Sequence, residues 1–444
     1  MSATIAEGRG TVVVAGGGLA GTLAASVLRE FADQVVVVER DRYPAEPGWR
    51  RGTPQSNHAH LLLEAGHRGL EELLPGIRAQ LLDAGAVSVV VGSELRWRNA
   101  VGWMAPHESP LAFLSLTRSL LDHIVRSRVL SDPKVHVVEG TKVVGFLGDA
   151  RAVTGVRTRE LGRTATIDVP ADLVVDASGR DSAAARWLAE LGCPPAPTTE
   201  VDAGCAYISR LIHLDRRMVS GLGFGALYVQ TSPGQPWMGS MLPVENDQFI
   251  VSLGGMHSAQ PGQGEAGFEA ILNRLPDPIM RDIVHQADSA TNVEWLQAGP
   301  SIRRDVRQDP DGLIRIGDAG PNKLNPVYGQ GMTCAVLAVL ALRDAVAQHN
   351  GITPAAQNAA RCGAMVATHP AWLMSSSEDA RLPETVGAPR GPLIRAQHML
   401  FDGISLRATK KPRVSAAVAS VMAMVEPPTA LMRPSVVAAL LGIG

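Results

Sequence analysis

Between Thr11 and Glu39 the polarity pattern changes rhythm three times. Thr11–Ala15 is a short unbroken apolar run, and Gly16, Gly17 and Gly18 interrupt it. Residues 19–31 then spread small and apolar side chains at helical spacing, and 34–39 form a second apolar run that ends on an acid. Runs this short, bounded by glycine or polar residues, read as strands buried on both faces, as in a parallel sheet. The segment is predicted to be strand, turn, helix, strand: a compact βαβ start.

Residues 41–60 are rich in Arg, Pro, Gly and His and are expected to form an ordered loop, before helical patterns at 60–74 and 77–84. A further helix at 117–129 leads to strands at 135–139 and 142–146. Residues 150–175 read as a small antiparallel excursion ending in a buried strand at 171–175. From about 195 to 300 the texture changes to Gly- and Pro-punctuated short strands such as 248–253, with a helix near 265–275. Strand texture returns at 312–316, and a Gly-rich loop then opens a long apolar helix at about 332–348. The remainder looks helical, with a Pro- and Arg-rich break at 381–395. This order of elements predicts the α/β class. A discontinuous Rossmann-like domain is expected over 1–90, 112–192 and 300–350, with a sheet-rich domain inserted at 193–299 and a helical C-terminal region at 351–444.

Composition narrows the functional classes. With 45% hydrophobic and 19% charged residues in 444, a large core is expected and long disorder is not. A net charge of −2 and only 4% aromatics offer no basic or base-stacking surface for nucleic acid. Cys193, Cys205, Cys334 and Cys362 are 12, 129 and 28 positions apart, a spacing that fits neither a zinc site nor a dense disulfide framework. The apolar stretch at 11–28 reads through its glycines as strand, turn and helix, not as a leader or a membrane span. The expectation is a reduced, cytoplasmic protein without a transmembrane segment. Apolar stretches at 414–425 and 435–443 are too short to cross a bilayer. Such stretches are usually core helices; the alternatives are a cover over an apolar substrate or a contact in a homodimer.

Gly16, Gly18 and Gly21 fit G-x-G-x-x-G between the first strand and the helix that begins at Leu19 and Ala20. The first glycine permits the tight turn, the second lets backbone approach a pyrophosphate, and the third packs helix on strand. The helix N-terminus offers free N–H groups to the phosphates. Glu39 ends the next strand, where a carboxylate accepts ribose hydroxyls, with Arg40 beside it; Arg50 and Arg51 are candidate pyrophosphate partners. This loop alone says dinucleotide. The distant segment Gly317-Asp318-Ala319, followed by Asn325-Pro326-Val327-Tyr328-Gly329-Gln330-Gly331-Met332, says FAD. Asp318 is placed to hold the ribityl chain, and a helix starting at Gly329, Gly331 and Met332 to stabilise negative charge on the reduced pyrimidine ring. His58, His60 and His67 lack the carboxylate or cysteine that would complete a metal set, so no metal is expected. Their reading is a structural role beside the cofactor, with a proton role for His60 as the alternative. His60 and Pro326 are the candidate flavin-adjacent residues.

On these two segments the sequence resembles flavin monooxygenases of the para-hydroxybenzoate hydroxylase fold, which pair the N-terminal glycine motif with Gly-Asp and a Pro-x-x-Gly-Gln-Gly loop. The resemblance covers the cofactor half. It implies a Rossmann-like FAD-binding domain with an inserted mixed β-sheet substrate domain, and it makes Arg118 an FAD contact. A third family motif is approximated by Asp176-Ala177-Ser178-Gly179-Arg180-Asp181-Ser182, with Ala177 in place of glycine, which weakens inference about NADPH. Residues 51–66 and Asn325-Pro326 are similar to a narrower branch, the epoxidases of polyether ionophore biosynthesis of the monensin and lasalocid type.

The activity this implies is insertion of one oxygen atom from O2 through a flavin C4a-hydroperoxide, epoxidising alkenes of a large apolar polyketide-like substrate. NADPH or NADH would donate electrons directly or through a flavin reductase. A flavin-dependent reductase of isoprenoid double bonds and an aromatic hydroxylase are the alternatives, and a non-enzymatic flavin store is a different class. A flavin halogenase ranks last among the enzymes. The chain has no lysine before Lys134, and Trp97-Arg98-Asn99 does not supply Trp-x-Trp-x-x-Pro.

Overall fold

A computed structural model describes residues 10–441. Five strands form one parallel sheet in the order Leu313–Arg315, Leu173–Asp176, Thr11–Ala15, Gln34–Val38, Val135–Val138. The central strand is covered on both faces. Val12 and Val14 pack under the helices Leu19–Leu28, Arg118–Leu130 and Gly331–Gln348. Val13 points the other way, into a core shared with Phe146, Val156 and Trp187 of the antiparallel excursion and the helix after it. That alternation is the period-two geometry of a strand, and double burial explains why the strand reads as unbroken valine.

Element edges differ from expectation for local reasons. The first helix ends at Leu28, because Glu30 and Phe31 turn back three residues to Val27 and Leu28 carbonyls and tighten the last turn. The helix expected at 60–74 begins at Glu64. Residues before it stay extended, with the Leu63 N–H donating to Thr333 Oγ1 (3.1 Å). The strand expected at 171–175 is Leu173–Asp176.

The second sheet is built mainly from Cys205–His213, Ala226–Val229, Trp237–Val244 and Gln248–Met256, paired antiparallel. Its far edge comes from elsewhere in the chain: Leu95–Arg98 lies parallel to Ala226–Val229. Along Trp237–Val244, Met238, Ser240 and Leu242 face a large cavity while Met241 turns into the core behind the sheet with Phe249 and Phe268. A small sheet of Thr198–Val201, Ser301–Arg304 and Asn322–Lys323 joins the two regions.

The C-terminal helices Pro354–Asp379, Pro392–Ala408, Pro412–Met422 and Pro434–Leu441 each open on proline, whose fixed φ and missing N–H suit a first helical turn. In the expected stretch at 414–425, Val414 and Val421 are buried among Ile404 and Leu431, while Ala419, Met422 and Ala423 line the cavity. Ile443 lies outside the described residues. Among the described residues, Gly331–Gln348 is the one helix long and apolar enough to cross a membrane. It packs in the core, with Val336, Val339 and Leu342 fully buried. All four cysteines are free.

Candidate cofactor and substrate site

The glycine loop shows three different needs for glycine. Gly16 has φ +100°, and a Cβ there would lie 2.6 Å from the Ala177 carbonyl oxygen. A Cβ on Gly21 would lie 1.9 Å from the Gly16 carbonyl oxygen, so this glycine closes helix onto strand. Gly18 is the opposite case. Its nearest neighbour would be an Arg50 guanidinium nitrogen at 3.8 Å, and the residue, with Leu19 and Ala20, lines the cavity at the uncapped N-terminus of Leu19–Leu28.

Glu39 is buried at the same wall. It accepts the Gly17 N–H (2.8 Å) and the Asp41 N–H (2.9 Å) and pairs with Arg50 (3.1 Å). Arg50 also reaches Asp41 (3.5 Å) and is buried, whereas its neighbour Arg51 is exposed and does not line the cavity. Of the two candidate arginines, Arg50 is therefore the one brought to the site. Its carboxylate partners draw it inward and leave Arg51 in solvent. Arg40 is exposed at the cavity rim.

The distant segment from Gly317 to Met332 lines the same cavity as the glycine loop. Gly317, at φ +59°, would place a Cβ 3.0 Å from the Ala20 Cβ, so the turn Gly317–Ala319 packs on the first helix. The Asp318 carboxyl group lines the cavity and has no hydrogen-bond partner among the described residues. Burial raises its pKa, and Lys323, Arg118, Arg304 and Arg180 oppose the rise. Arg304 donates to the Asp318 and Gly320 carbonyls (3.0 and 3.2 Å) and fixes the turn.

Asn325 accepts the Val327 N–H, and its amide and the Tyr328 hydroxyl both donate to Asp379 (2.9 and 2.8 Å). Pro326, Gly329, Gly331 and Met332 then line the cavity. A Cβ on Gly331 would meet nothing within 4 Å. Gln330, almost fully buried, has both amide atoms without a partner among the described residues. Two open glycine cradles at helix N-termini, with an unpartnered carboxyl group between them, fit an FAD lying from Gly18 to Gly331.

Arg118 opens its helix and pairs with Asp122 (2.7 Å). Thr117 caps that helix and is itself held by Glu245 from the second sheet, which accepts the Thr117 N–H (2.9 Å) and hydroxyl.

His60 lines the cavity with Nδ1 2.9 Å from the His58 carbonyl oxygen. A carbonyl only accepts, so Nδ1 carries the proton and Nε2 is the basic nitrogen. Burial, and then nearby Arg118, hold its pKa down to about 4. His58 instead meets Ser209 (2.7 Å), and the Ala59 N–H donates to Ser252 (2.8 Å), which pins the loop to the second sheet. His67 pairs with Arg78 (2.8 Å). The three histidines do not converge, and no metal-binding group exists among the described residues. In the third motif, Asp176 accepts from the Ser178 N–H (3.0 Å) and the Ser178 and Ser182 hydroxyls, bracing the turn after its strand.

Beyond the cofactor segments the cavity, about 900 Å³, continues between the second sheet and the C-terminal helices. Trp97, Tyr207, Tyr228, Met238 and Leu242 line it from the second sheet, Phe113 from the neighbouring strand Ala112–Ser115, and Ala419, Met422 and Ala423 from the C-terminal region. Burial raises the pKa of Tyr207 and Tyr228 and keeps both protonated. Sequence reasoning did not find Trp97 or Lys323, and it gave the stretch 414–425, which carries Met422, a place over an apolar substrate only as an alternative to a core helix.

Protein Rv3254 of Mycobacterium tuberculosis is 27% identical over 426 residues, spanning 90% of this chain and 87% of that protein. Among solved structures, the flavin-dependent brominase Bmp2 superposes with a TM-score of 0.68 at 15% identity, covering 93% of this chain and 92% of that one. The p-nitrophenol 4-monooxygenase PnpA from Pseudomonas putida gives 0.64 at 17% identity, covering 94% and 98%. Identities this low establish the shared fold alone. The FAD binding domain family matches residues 9–350, both cofactor segments included, and the chain belongs to that family.

Proposed function

We propose that this protein is an FAD-dependent monooxygenase that transfers one oxygen atom from O2 to an alkene of a large apolar, polyketide-like substrate, an epoxidase. The observation that carries the reading is one continuous cavity running from the FAD cradle into a largely apolar chamber in which His60, Tyr207 and Tyr228 are held neutral. Bound and reduced FAD supplies the electrons that activate dioxygen. Gly18 and the helix behind it would hold the pyrophosphate, Glu39 the ribose, Asp318 the ribityl chain, and the Gly331 helix start the pyrimidine edge. Neutral His60 and protonated Tyr207 and Tyr228 supply no strong base, and an alkene π bond needs none, whereas a phenol gains from deprotonation. Met422, Ala419 and Ala423 close the chamber against water. The inserted region at 193–299 and the C-terminal region at 351–444 are the substrate-binding parts in this proposal. NADPH or NADH would supply the electrons, directly or through a reductase.

The test compares an apolar polyene incubated with holoenzyme and reductant under air and under nitrogen. Addition of one oxygen atom, only under air, is expected. Turnover that proceeds equally well under nitrogen, with two hydrogens added, would mean a double-bond reductase instead.

A further inference from the structure

Lys323 stands on the short strand Asn322–Lys323, antiparallel to Ser301–Arg304. Its strand neighbour Asn322 turns into the core and donates to Thr368 Oγ1 (2.6 Å), whereas Lys323 lines the cavity. The residue is only 9% exposed. Its ammonium group lies beside Gly299, where a Cβ would stand 3.4 Å from Nζ, within ordinary contact. Gly299 follows Ala298, which packs with Tyr207, Met238 and Val327 at the edge of the apolar chamber.

Among the described residues the ammonium makes no ion pair and no hydrogen bond. Asp318 is its main compensating charge, yet Arg118, Arg180 and Arg304 act on that same carboxyl group. Arg118 and Arg180 have carboxylates of their own in Asp122 and Asp181, whereas Lys323 has no direct partner. Burial pushes the pKa of Lys323 down, and Asp318 resists the change. A buried ammonium without a direct counter-ion is costly, and the arrangement is relieved when an anion enters. The pyrophosphate of FAD is assigned to Gly18 at the start of Leu19–Leu28, whereas the Lys323 ammonium stands beside Gly299, next to Ala298 at the edge of the apolar chamber.

We propose that Lys323 anchors an acidic group of the substrate, so that the substrate is an apolar molecule bearing a carboxylate. This rests on the reading of the cavity as an FAD cradle with an apolar substrate chamber. The chamber takes the hydrocarbon body and Lys323 fixes its end, which sets which carbon of the body lies nearest the flavin.

The experiment titrates FAD-loaded protein with dodecanoate and with 1-dodecanol, following the flavin absorbance change and heat of binding. Wild type should bind the acid more tightly than the alcohol. Lys323→Gln should weaken the acid by roughly tenfold or more, since a hydrogen bond to a charged group is lost, and leave the alcohol unchanged. Lys323→Arg should retain most of the acid affinity. FAD content and thermal melting should match wild type in both variants. Equal binding of acid and alcohol by wild type, or acid binding indifferent to Lys323→Gln, would overturn the proposal. Loss of FAD from Lys323→Gln would overturn it too, making Lys323 a cofactor contact. Wild type that takes up no FAD at all would instead refute the cofactor reading beneath it.

Discussion

Gly18 and Gly21 stand three residues apart in one motif, and the structure gives them separable roles. In Gly18→Ala the new methyl group meets nothing closer than Arg50 at 3.8 Å. The backbone there, at φ −75° and ψ −176°, is open to any residue. The apoprotein should therefore keep its stability within about 0.5 kcal/mol. The same methyl group occupies the face through which a pyrophosphate reaches the loop N–H groups. Losing one charge-assisted hydrogen bond costs about 1.5–3 kcal/mol, and about 1.4 kcal/mol is a factor of ten. FAD affinity should fall roughly ten- to hundredfold. In Gly21→Ala the methyl group would lie 1.9 Å from a backbone oxygen and 3.1 Å from the Ala177 Cβ, so helix and strand must separate. Overpacking of this kind costs about 1–3 kcal/mol or more, and the apoprotein itself should melt lower. Thermal melts of the apoproteins and fluorescence titrations with FAD measure both quantities. Wild-type FAD affinity in Gly18→Ala, or a wild-type melt in Gly21→Ala, would refute the reasoning.

Asp318→Ala should lower FAD affinity about tenfold or more; unchanged flavin content would count against its role. Asp379 yields a pH prediction. Burial raises its pKa from 3.8 to about 7, so its contribution to stability is intact below about pH 4 and is lost as pH rises through about 7. Three pKa units correspond to about 4 kcal/mol. Urea unfolding at pH 5 and pH 8 should show wild type losing about 2.7 kcal/mol relative to Asp379→Asn, because two of those three units lie above pH 5, and parallel pH profiles would contradict it. Met422→Trp should fill the apolar chamber and raise KM for bulky alkenes several-fold while FAD binding stays unchanged; loss of FAD would place Met422 against the cofactor instead.

The cofactor half of the site was legible because its residues answer local demands. Gly16 and Gly21 are required by backbone geometry within a single turn, and Glu39 follows from the length of one helix and one strand. Asp318 was placed by the strand that delivers it. The loop at 41–60 has no period, so nothing in it distinguished Arg50 from Arg51; burial beside Glu39 and Asp41 made that choice. The strand Leu95–Arg98 alternates over only four residues and finds its partner more than a hundred residues later, so Trp97 was not placed at the site. Pro412–Met422 was recognisable as an apolar helix. Which of its faces meets the core and which meets the cavity depends on helices packed from elsewhere, and a nearly uniform apolar stretch carries no such mark.

The central claim is that two segments about 300 residues apart form one FAD cradle. Titrating the purified apoprotein with FAD, read by flavin absorbance and confirmed by the flavin released on denaturation, tests it directly. One FAD bound per chain, with affinity reduced alike by Gly18→Ala in the first segment and Asp318→Ala in the second, is the predicted result. A protein that takes up no FAD, or that binds it equally well when either segment is altered, would contradict the account.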